Sequence, residues 1–357
     1  MARFEAGGVV SSARTVLLLP SGLTVSVVVP VHHGGAAFRA CADALVRALA
    51  PGDELVVVAD GETDGAWRTL PAAPCAVRTV VRDAPGGPAA ARNAGAAVAR
   101  GDVLFFVDAD VVVPPGAVER VRRAFAAPET APALAALVGS YCDRPAHPAF
   151  LSQYRNLLHH YTHQTAGETV QTFWGACGAV RRDVFASVGG FDERYRTPSV
   201  EDVELGYRLS DAGHAIHLDR GLQVTHLKAW PAGRMLHTDL FRRAAPWTEL
   251  LLRTRRTERQ LNVDARSRAS VALVAVAGLA LLGAPVRPRV AGAVGALAAS
   301  AFVATNASFY SFLQKERGLR FALRVVPWHA AYSVCSGLGL ALGAAHHATR
   351  LVRGAAS

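Results

Sequence analysis

Several things are scarce in this chain of 357 residues, and each scarcity excludes something. Paired cysteines are missing. Cys41, Cys75, Cys142, Cys177 and Cys335 are odd in number, scattered, and form no CxxC pair, which excludes a disulfide framework or a structural zinc site and suits a reducing compartment. Signal-peptide character is scarce at the start too. The start "MARFEAGGVVSSARTVLLLPSG" has an acid near its front and a four-residue apolar core, so the N-terminal part is expected to stay in the cytosol. There is no internal repeat and no disordered tract. Lysine occurs only twice among abundant arginine, which reads as a compositional bias without functional weight.

Acid is the most informative scarcity. Only 5 of the 28 Asp+Glu lie after residue 233, so residues 1–233 carry a net −2 and residues 234–357 a net +12. The basic third also holds the long uncharged apolar runs. Positive charge interleaved with apolar spans fits a membrane surface and argues against nucleic acid as partner, whose binders need no such spans. The length favours two units, and a mean hydropathy of +0.21 is high for a soluble protein.

What is present begins with a strand and helix cadence. "TVSVVVPV" (24–31) is an unbroken β-branched run, as in a strand covered on both faces. Residues 36–50 have helical spacing, 53–65 a second buried strand and turn, and 75–83 a weaker strand. Residues 86–101 read as a small-residue helix closed by Gly101, and "DVLFFVDAD" as a fourth strand. This is an α/β domain with a mostly parallel sheet, whose ligand site is expected beyond the carboxyl ends of the strands. Those ends carry "PVHH", "ADGETD" and "DAD", so Asp108 and Asp110 fall on one crevice rim. Further along, 134–142 reads as a strand and 147–166 as a polar, solvated or interfacial helix with His159, His160 and His163. A second acidic cluster, Glu201-Asp202 with Glu204, opens a short helix over 202–212, with Gly213 past its end. Residues 214–231 read as two short strands leading to His226, Lys228 and Trp230.

At this point the chain resembles the inverting family 2 glycosyltransferases, which have the Rossmann-like GT-A fold. The stretches that carry the resemblance are "SVVVPVHH", "VVVADGETDGA", "APGGPAAARNAG", "GDVLFFVDAD", "GACGAVRRDVFASVGGFDERY" and "EDVELGYRLSDAGH", in the family's order across residues 24–230. The resemblance implies that Pro30, Val31, Asp60, Arg92 and Asp108 bind the nucleotide-sugar donor. It implies that Asp108, Asp110 and His226 hold a Mg²⁺ or Mn²⁺ on the donor diphosphate, and that Asp202 is the catalytic base. Glu201, Trp174 and Trp230 would face the acceptor. The residue types suit the chemistry. A diphosphate leaves well only when its developing charge is neutralised, and an attacking hydroxyl must lose a proton to a carboxylate on the far side of the sugar. One displacement with one base inverts the anomeric centre. Two departures matter: Ala59 stands where the family often has a first Asp, and "QVTHL" (223–227) lacks the Arg-Trp of the processive members' QxxRW, which disfavours a polymer synthase.

The last third completes the expected organisation. Residues 230–256 alternate apolar stretches with arginines, as an interfacial amphipathic helix would. Three uncharged runs, 269–286, 290–313 and 325–345, are each long enough to span or nearly span about 30 Å of hydrocarbon. The first two would form a hairpin. The basic connector "QKERGLRFALR" would lie on the cytosolic side with the catalytic domain. The expected division is a GT-A catalytic domain over 1–230, an amphipathic segment over 231–268 and a transmembrane region over 269–357. The protein is then expected to be a multi-pass inner-membrane hexosyltransferase with its catalytic domain in the cytosol. It would move one sugar from a UDP- or GDP-sugar to a membrane-associated acceptor such as a polyprenyl phosphate, lipid or lipid-linked glycan. The alternatives are a soluble acceptor or an inactive membrane scaffold. A nucleotidyltransferase is disfavoured because residues 30–35 lack a lysine.

Overall fold

The computed structural model of the chain describes residues 22–61, 64–127, 134–256 and 261–355. The first 21 residues and Glu62-Thr63 lie outside them. Nine strands run in chain order among these residues: β1 (Val25–Val31), β2 (Glu54–Asp60), β3 (Ala76–Arg82), β4 (Val103–Val107), β5 (Val111–Val112), β6 (Ala136–Tyr141), β7 (Thr169–Val170), β8 (Cys177–Arg181) and β9 (Ile216–His226). They form one sheet in the order β3-β2-β1-β4-β8-β6-β9-β5, with β7 also paired to β9.

The first four neighbours are parallel, β6 and β9 are parallel to each other, and β8 runs antiparallel between β4 and β6. The carboxyl ends of β1, β2, β4, β6 and β9 therefore share one edge, together with the amino end of β8. The β-branched and aromatic runs of β1, β2 and β4 are buried on both faces, which is why they read as continuous rather than alternating. One face packs on the helices Gly35–Ala48 and Ala117–Ala126, the other on Pro88–Val98 and Glu201–Asp211. Each fully buried Val, Leu or Phe in these layers contributes about 1.5–3 kcal/mol.

Three sequence expectations change here. Gly101 does not close the helix Pro88–Val98, which ends at Ala99; a Cβ at Gly101 would meet Ser26 N at 2.6 Å, so the glycine serves close packing on β1. Within 214–231 there is one strand, β9 (Ile216–His226), rather than two, with a register shift opposite β6 between Val138 and Ser140. The helix Phe150–Thr165 is not solvated: Tyr154, Leu157, His160 and His163 are buried. It lies between the sheet and the C-terminal helices, so both of its sides are covered.

A helical rod follows β9, running through Ala232–His237, a π turn at Thr238–Ala244, and Ala245–Thr254. The helices Ala265–Gly283, Pro288–Thr305 and Leu319–Val352 are long and apolar enough to cross a membrane. The first two pack as a hairpin whose side chains are mostly exposed, among them Leu279, Leu281, Leu282 and Leu297. The second span stops earlier than the expected 313. Asn306 ends it, and Ala307–Arg317 forms a separate helix whose Phe309 and Leu313 pack with Tyr154 and Leu157 of the α/β domain. The third long helix lies against the rod after β9, where Gly339 and Gly343 let it approach Ala244, Ala245 and Thr248. That rod is consequently sandwiched, and its Met235, Asp239 and Leu250 are buried rather than laid on an open interface.

Candidate active site

The shared carboxyl edge of the sheet borders a cavity of about 500 Å³. Every residue to which the resemblance gives a site role lines it: Pro30, Val31, Asp60, Arg92, Asp108, Asp110, Trp174, Glu201, Asp202, His226 and Trp230. Each arrives for a topological reason. Pro30 and Val31 end β1, Asp60 ends β2, Asp108 and Asp110 follow β4, and His226 ends β9. Trp174 precedes β8, which runs the other way, and Arg92 lies in the early turns of a crossover helix.

The two aspartates that follow β4 each have their own basic partner. Arg92 Nη2 donates to Asp108 Oδ1 at 2.7 Å. His226 Nε2 lies 3.4 Å from Asp110 Oδ2. The latter pair is set by strand pairing, because Val111 of β5 is opposite His226 and Leu227 N donates to the Asp110 carbonyl. Burial opposes the charge on Asp110, but the hydrogen bond from His226 and the positive charge of His226 and Lys228 outweigh it and hold the carboxyl below its usual range. The repulsion between these neighbours is therefore relieved by two protein partners before any ligand arrives.

A divalent cation fits this donor set. Asp108 and Asp110 offer hard oxygen ligands at the cavity wall, with side chains one-third exposed, and His226 adds a nitrogen. Among the described residues no three His, Cys, Asp or Glu side chains are grouped as a complete cage. Mg²⁺ and Mn²⁺ sites that share their ion with substrate phosphates have this incomplete form.

Asp202 occupies the first turn of the helix Glu201–Asp211 and accepts from Gly175 N at 3.1 Å and Val203 N at 2.8 Å. Burial, then the charge of Glu201, push its carboxyl up to about 6, against the opposing pull of Arg92 and those two amides. Glu201 is itself buried. It accepts from Arg92 Nη1 at 3.1 Å and from Ser199 N at 2.9 Å, so its carboxylate is committed to Arg92 and the preceding turn. Arg92 is 4% exposed, and burial alone would disfavour its charge, yet Asp108, Glu201 and Asp202 raise its pKa further. A Cβ at Gly175 would meet Arg92 Cζ at 2.8 Å, so only glycine leaves room for the guanidinium there. Asp60 is buried and accepts from Arg82 Nε at 2.8 Å and from the amides of Gly86 and Gly87, which pins that loop beside the cavity. Gly87 turns with φ +86°, a left-handed conformation that favours glycine.

Some residues of the wall were given no site role from the sequence. Tyr141, at the end of β6, stacks on His226 at 4.7 Å and meets Trp174 edge-on at 4.8 Å. His159 packs on both Tyr141 and Trp174. Burial holds its imidazole well below the usual range, with the like charges of His163, Arg243 and Arg155 adding to the effect. His160 and His163 pair through Nδ1 with the carbonyls of Tyr141 and Gly139, so these two histidines brace the helix against β6. Arg155 and Arg243 also line the cavity. The only sequence signal for Arg243 was its place in an arginine-rich helix, and Tyr141 carried none.

Residues 26–189 match the family described as Glycosyl transferase family 2. The validoxylamine A glucosyltransferase of Streptomyces hygroscopicus subsp. limoneus is 28% identical over 261 residues, covering 62% of this chain and 57% of that protein. The N-acetylglucosaminyl-diphospho-decaprenol L-rhamnosyltransferase of Mycobacterium tuberculosis is 48% identical over 60 residues, 17% of this chain and 19% of that one. The chain thus spans little more than half of the first relative and far less of the second. Among solved structures, the mannosyltransferase PcManGT from Pyrobaculum calidifontis, in complex with GDP-Man and Mn²⁺, aligns with a TM-score of 0.50 at 18% identity, covering 85% of this chain and 87% of that one. At that identity the likeness is one of fold, and the fold is GT-A.

Proposed function

From the match of residues 26–189 to Glycosyl transferase family 2 we propose that the chain is an inverting glycosyltransferase of that family. It transfers a single sugar from a UDP- or GDP-sugar to a hydroxyl of a membrane-associated acceptor. The observation that carries this reading is the junction in one cavity of the Asp108/Asp110 pair with Asp202, whose carboxyl is raised to about 6. A base works best when its pKa lies near the working pH, and a carboxyl at about 6 is mostly ionised at pH 7 while being a stronger base than an ordinary aspartate.

Pro30, Val31 and Asp60 line the nucleotide end. Asp108, Asp110 and His226 would hold Mg²⁺ or Mn²⁺, which supplies charge neutralisation to the departing diphosphate when bound. Asp202 accepts the proton of the attacking hydroxyl; Gly175 N donates to its Oδ2 and Val203 N to its Oδ1, and the two amides fix the carboxylate's direction. Arg92 keeps Asp202, Glu201 and Asp108 from repelling one another apart. Trp174 and Trp230 supply flat surfaces on the acceptor side.

Three helices of spanning length support a membrane acceptor and a multi-pass inner-membrane location, with the catalytic domain on the cytosolic side. The division proposed is a catalytic domain over 1–230, a bridging segment over 231–268 and a membrane region over 269–357. A relative named for a diphospho-decaprenol substrate supports a lipid-linked acceptor, and one named for validoxylamine A favours the second reading, a soluble acceptor. The test is to screen UDP- and GDP-sugars for thermal stabilisation of the full chain in detergent, then follow nucleotide release with and without Mn²⁺. Stabilisation by one donor and Mn²⁺-dependent release are expected. No stabilisation by any donor and no release would leave an inactive membrane scaffold.

A further inference from the structure

Part of the cavity wall carries more positive charge than the donor chemistry uses. It is built from Arg155, Lys228, Trp230, Arg242 and Arg243, with Asp239 buried behind them. Asp239 pairs with Arg155, Oδ1 to Nη2 at 2.6 Å, and is 2% exposed, so its charge is committed. Arg242 donates to Thr197 Oγ1 at 2.5 Å, and Lys228 Nζ sits over the Trp230 ring at 4.8 Å. Arg243 has no ion pair or hydrogen bond among the described residues. Burial, then the like charge of Arg155, disfavour its charged form, while Asp239 and Asp202 favour it. With Arg155 committed to Asp239 and Lys228 acting on Asp110, Arg242 and Arg243 are left as the positive charges of this wall with no ion pair among the described residues. Such an excess in a cavity is costly unless an anion or water completes it.

The backbone makes this arrangement deliberate rather than incidental. Arg242 and Arg243 are consecutive, and a regular helix would separate their directions by about 100°. The π turn Thr238–Ala244 widens the helix where both reach the same cavity. The following turns are locked against Leu319–Ala355 at Gly339 and Gly343, so this wall of the cavity is continuous with an apolar helix of spanning length.

We propose that Arg243, backed by Arg155 and flanked by Arg242 and Lys228, binds a phosphate or diphosphate group carried by the acceptor, a few bonds from the hydroxyl that attacks. A planar guanidinium takes a phosphate through two parallel hydrogen bonds, which an ammonium does not. The placement is on the acceptor's side because Arg242 and Arg243 sit on the segment locked against Leu319–Ala355, a helix of spanning length, whereas the donor diphosphate is placed at Asp108 and Asp110 beyond β4. This inference rests on the glycosyl-transfer reading above and adds to it the class of acceptor.

The experiment uses the full chain in neutral detergent with inorganic pyrophosphate as probe, in EDTA so that no cation bridges it to Asp108 and Asp110. Calorimetry should show binding by the unaltered protein and by Asp110→Asn, and a loss of about tenfold or more in Arg243→Gln, with Arg243→Lys between them. In the transfer assay Arg243→Gln should raise the KM for a polyprenyl-diphosphate-linked sugar by about tenfold or more while leaving the donor KM within about twofold. Transfer to a neutral alkyl glycoside in the same micelles should not change, which also controls for folding. Pyrophosphate binding that needs Mn²⁺ and disappears in Asp110→Asn would assign the probe to the donor site and overturn the proposal. So would equal binding by Arg243→Gln and the unaltered protein. If no acceptor is glycosylated but pyrophosphate follows the expected pattern, the anion site stands and the transfer reading fails. If transfer occurs and the pattern does not, the anion site fails alone.

Discussion

Arg92 donates through Nη1 to Glu201 Oε1 at 3.1 Å, joining residues 109 positions apart, while its Nη2 holds Asp108. One buried guanidinium thus ties the carboxylates beyond β4 to the start of the helix that carries Asp202. Neutralising it leaves Glu201 buried without a counter-charge and removes the pull that restrains Asp202. Arg92→Gln should therefore lower stability by about 3–5 kcal/mol and move the acid limb of the pH–rate profile upward. Thermal unfolding and kcat/KM against pH measure both. An unchanged limb would show that Arg92 does not act on Asp202.

Asp110→Asn should abolish transfer and weaken donor binding, because a neutral amide is a poor ligand for a hard cation. The same variant should leave the fold intact, since Asp110 is one-third exposed and its partner His226 is also held by stacking on Tyr141. Titration of donor with and without Mn²⁺ checks this. Full activity in EDTA would remove the metal role.

Asp202→Asn keeps the shape but cannot take the proton, so turnover should fall by a factor on the order of 10² or more at similar donor affinity. In the unaltered enzyme kcat/KM should fall as pH drops through about 6, as Asp202 becomes protonated. Stability runs the other way. A carboxyl raised in the folded state favours folding while protonated, and that contribution is lost as pH rises through about 6. At pH 7 the asparagine variant should therefore melt higher, by about 1–3 kcal/mol of stability. A variant that loses donor affinity in proportion to rate would mark Asp202 as a binding residue.

The hairpin and the later helices should behave differently on deletion. Asn306 Nδ2 donates to Ser270 Oγ at 2.9 Å, so the hairpin's two ends meet, and a short glycine linker can join 270 to 306. Replacing 271–305 takes Phe302, Leu273 and Val274 from the edge of the cluster around Tyr154 and Leu157, and should leave metal-dependent donor binding unchanged while reducing recovery in the membrane fraction. Removing 307–357 instead strips Phe309, Leu313 and Val325 from Tyr154, Leu157 and Met235, and takes away Arg317, which donates to the Asp143 carbonyl at 2.7 Å. That truncation should lower the melting temperature of the remaining domain and impair donor binding. Equal behaviour of the two deletions would mean that the later helices are only an anchor.

The four arginines at 242, 243, 255 and 256 divide by structure, although the sequence presents them as one interfacial set. Arg242 and Arg243 line the cavity, whereas Arg256 is paired with Asp211 and lies over Tyr207. Arg242→Gln with Arg243→Gln should raise the acceptor KM. Arg255→Gln with Arg256→Gln should change the melting temperature and leave the acceptor KM within about twofold. Kinetics of the two double variants separate these outcomes.

Much of this was legible in the residues alone because it depends on short-range patterns. The Val-rich runs announce strands buried on both faces, and residues at the ends of parallel strands must share one edge. Pro30, Asp60, Asp108 and His226 therefore converge by topology before any packing is known. Likewise the uncharged runs of the last third announce long helices that need an apolar cover, lipid or protein. Tertiary structure alone decided what depends on neighbours far along the chain. No local pattern predicts that Arg92 spans Asp108 and Glu201, because the meeting requires two different crossovers to bring their helices to one point. The helix 150–165 looked solvated because its polar residues face elements that are remote in sequence, a strand on one side and helices some 150 residues later on the other. The same holds for Arg243. An arginine-rich helix reads as a surface until a third helix closes over its back, and the direction that remains is the cavity.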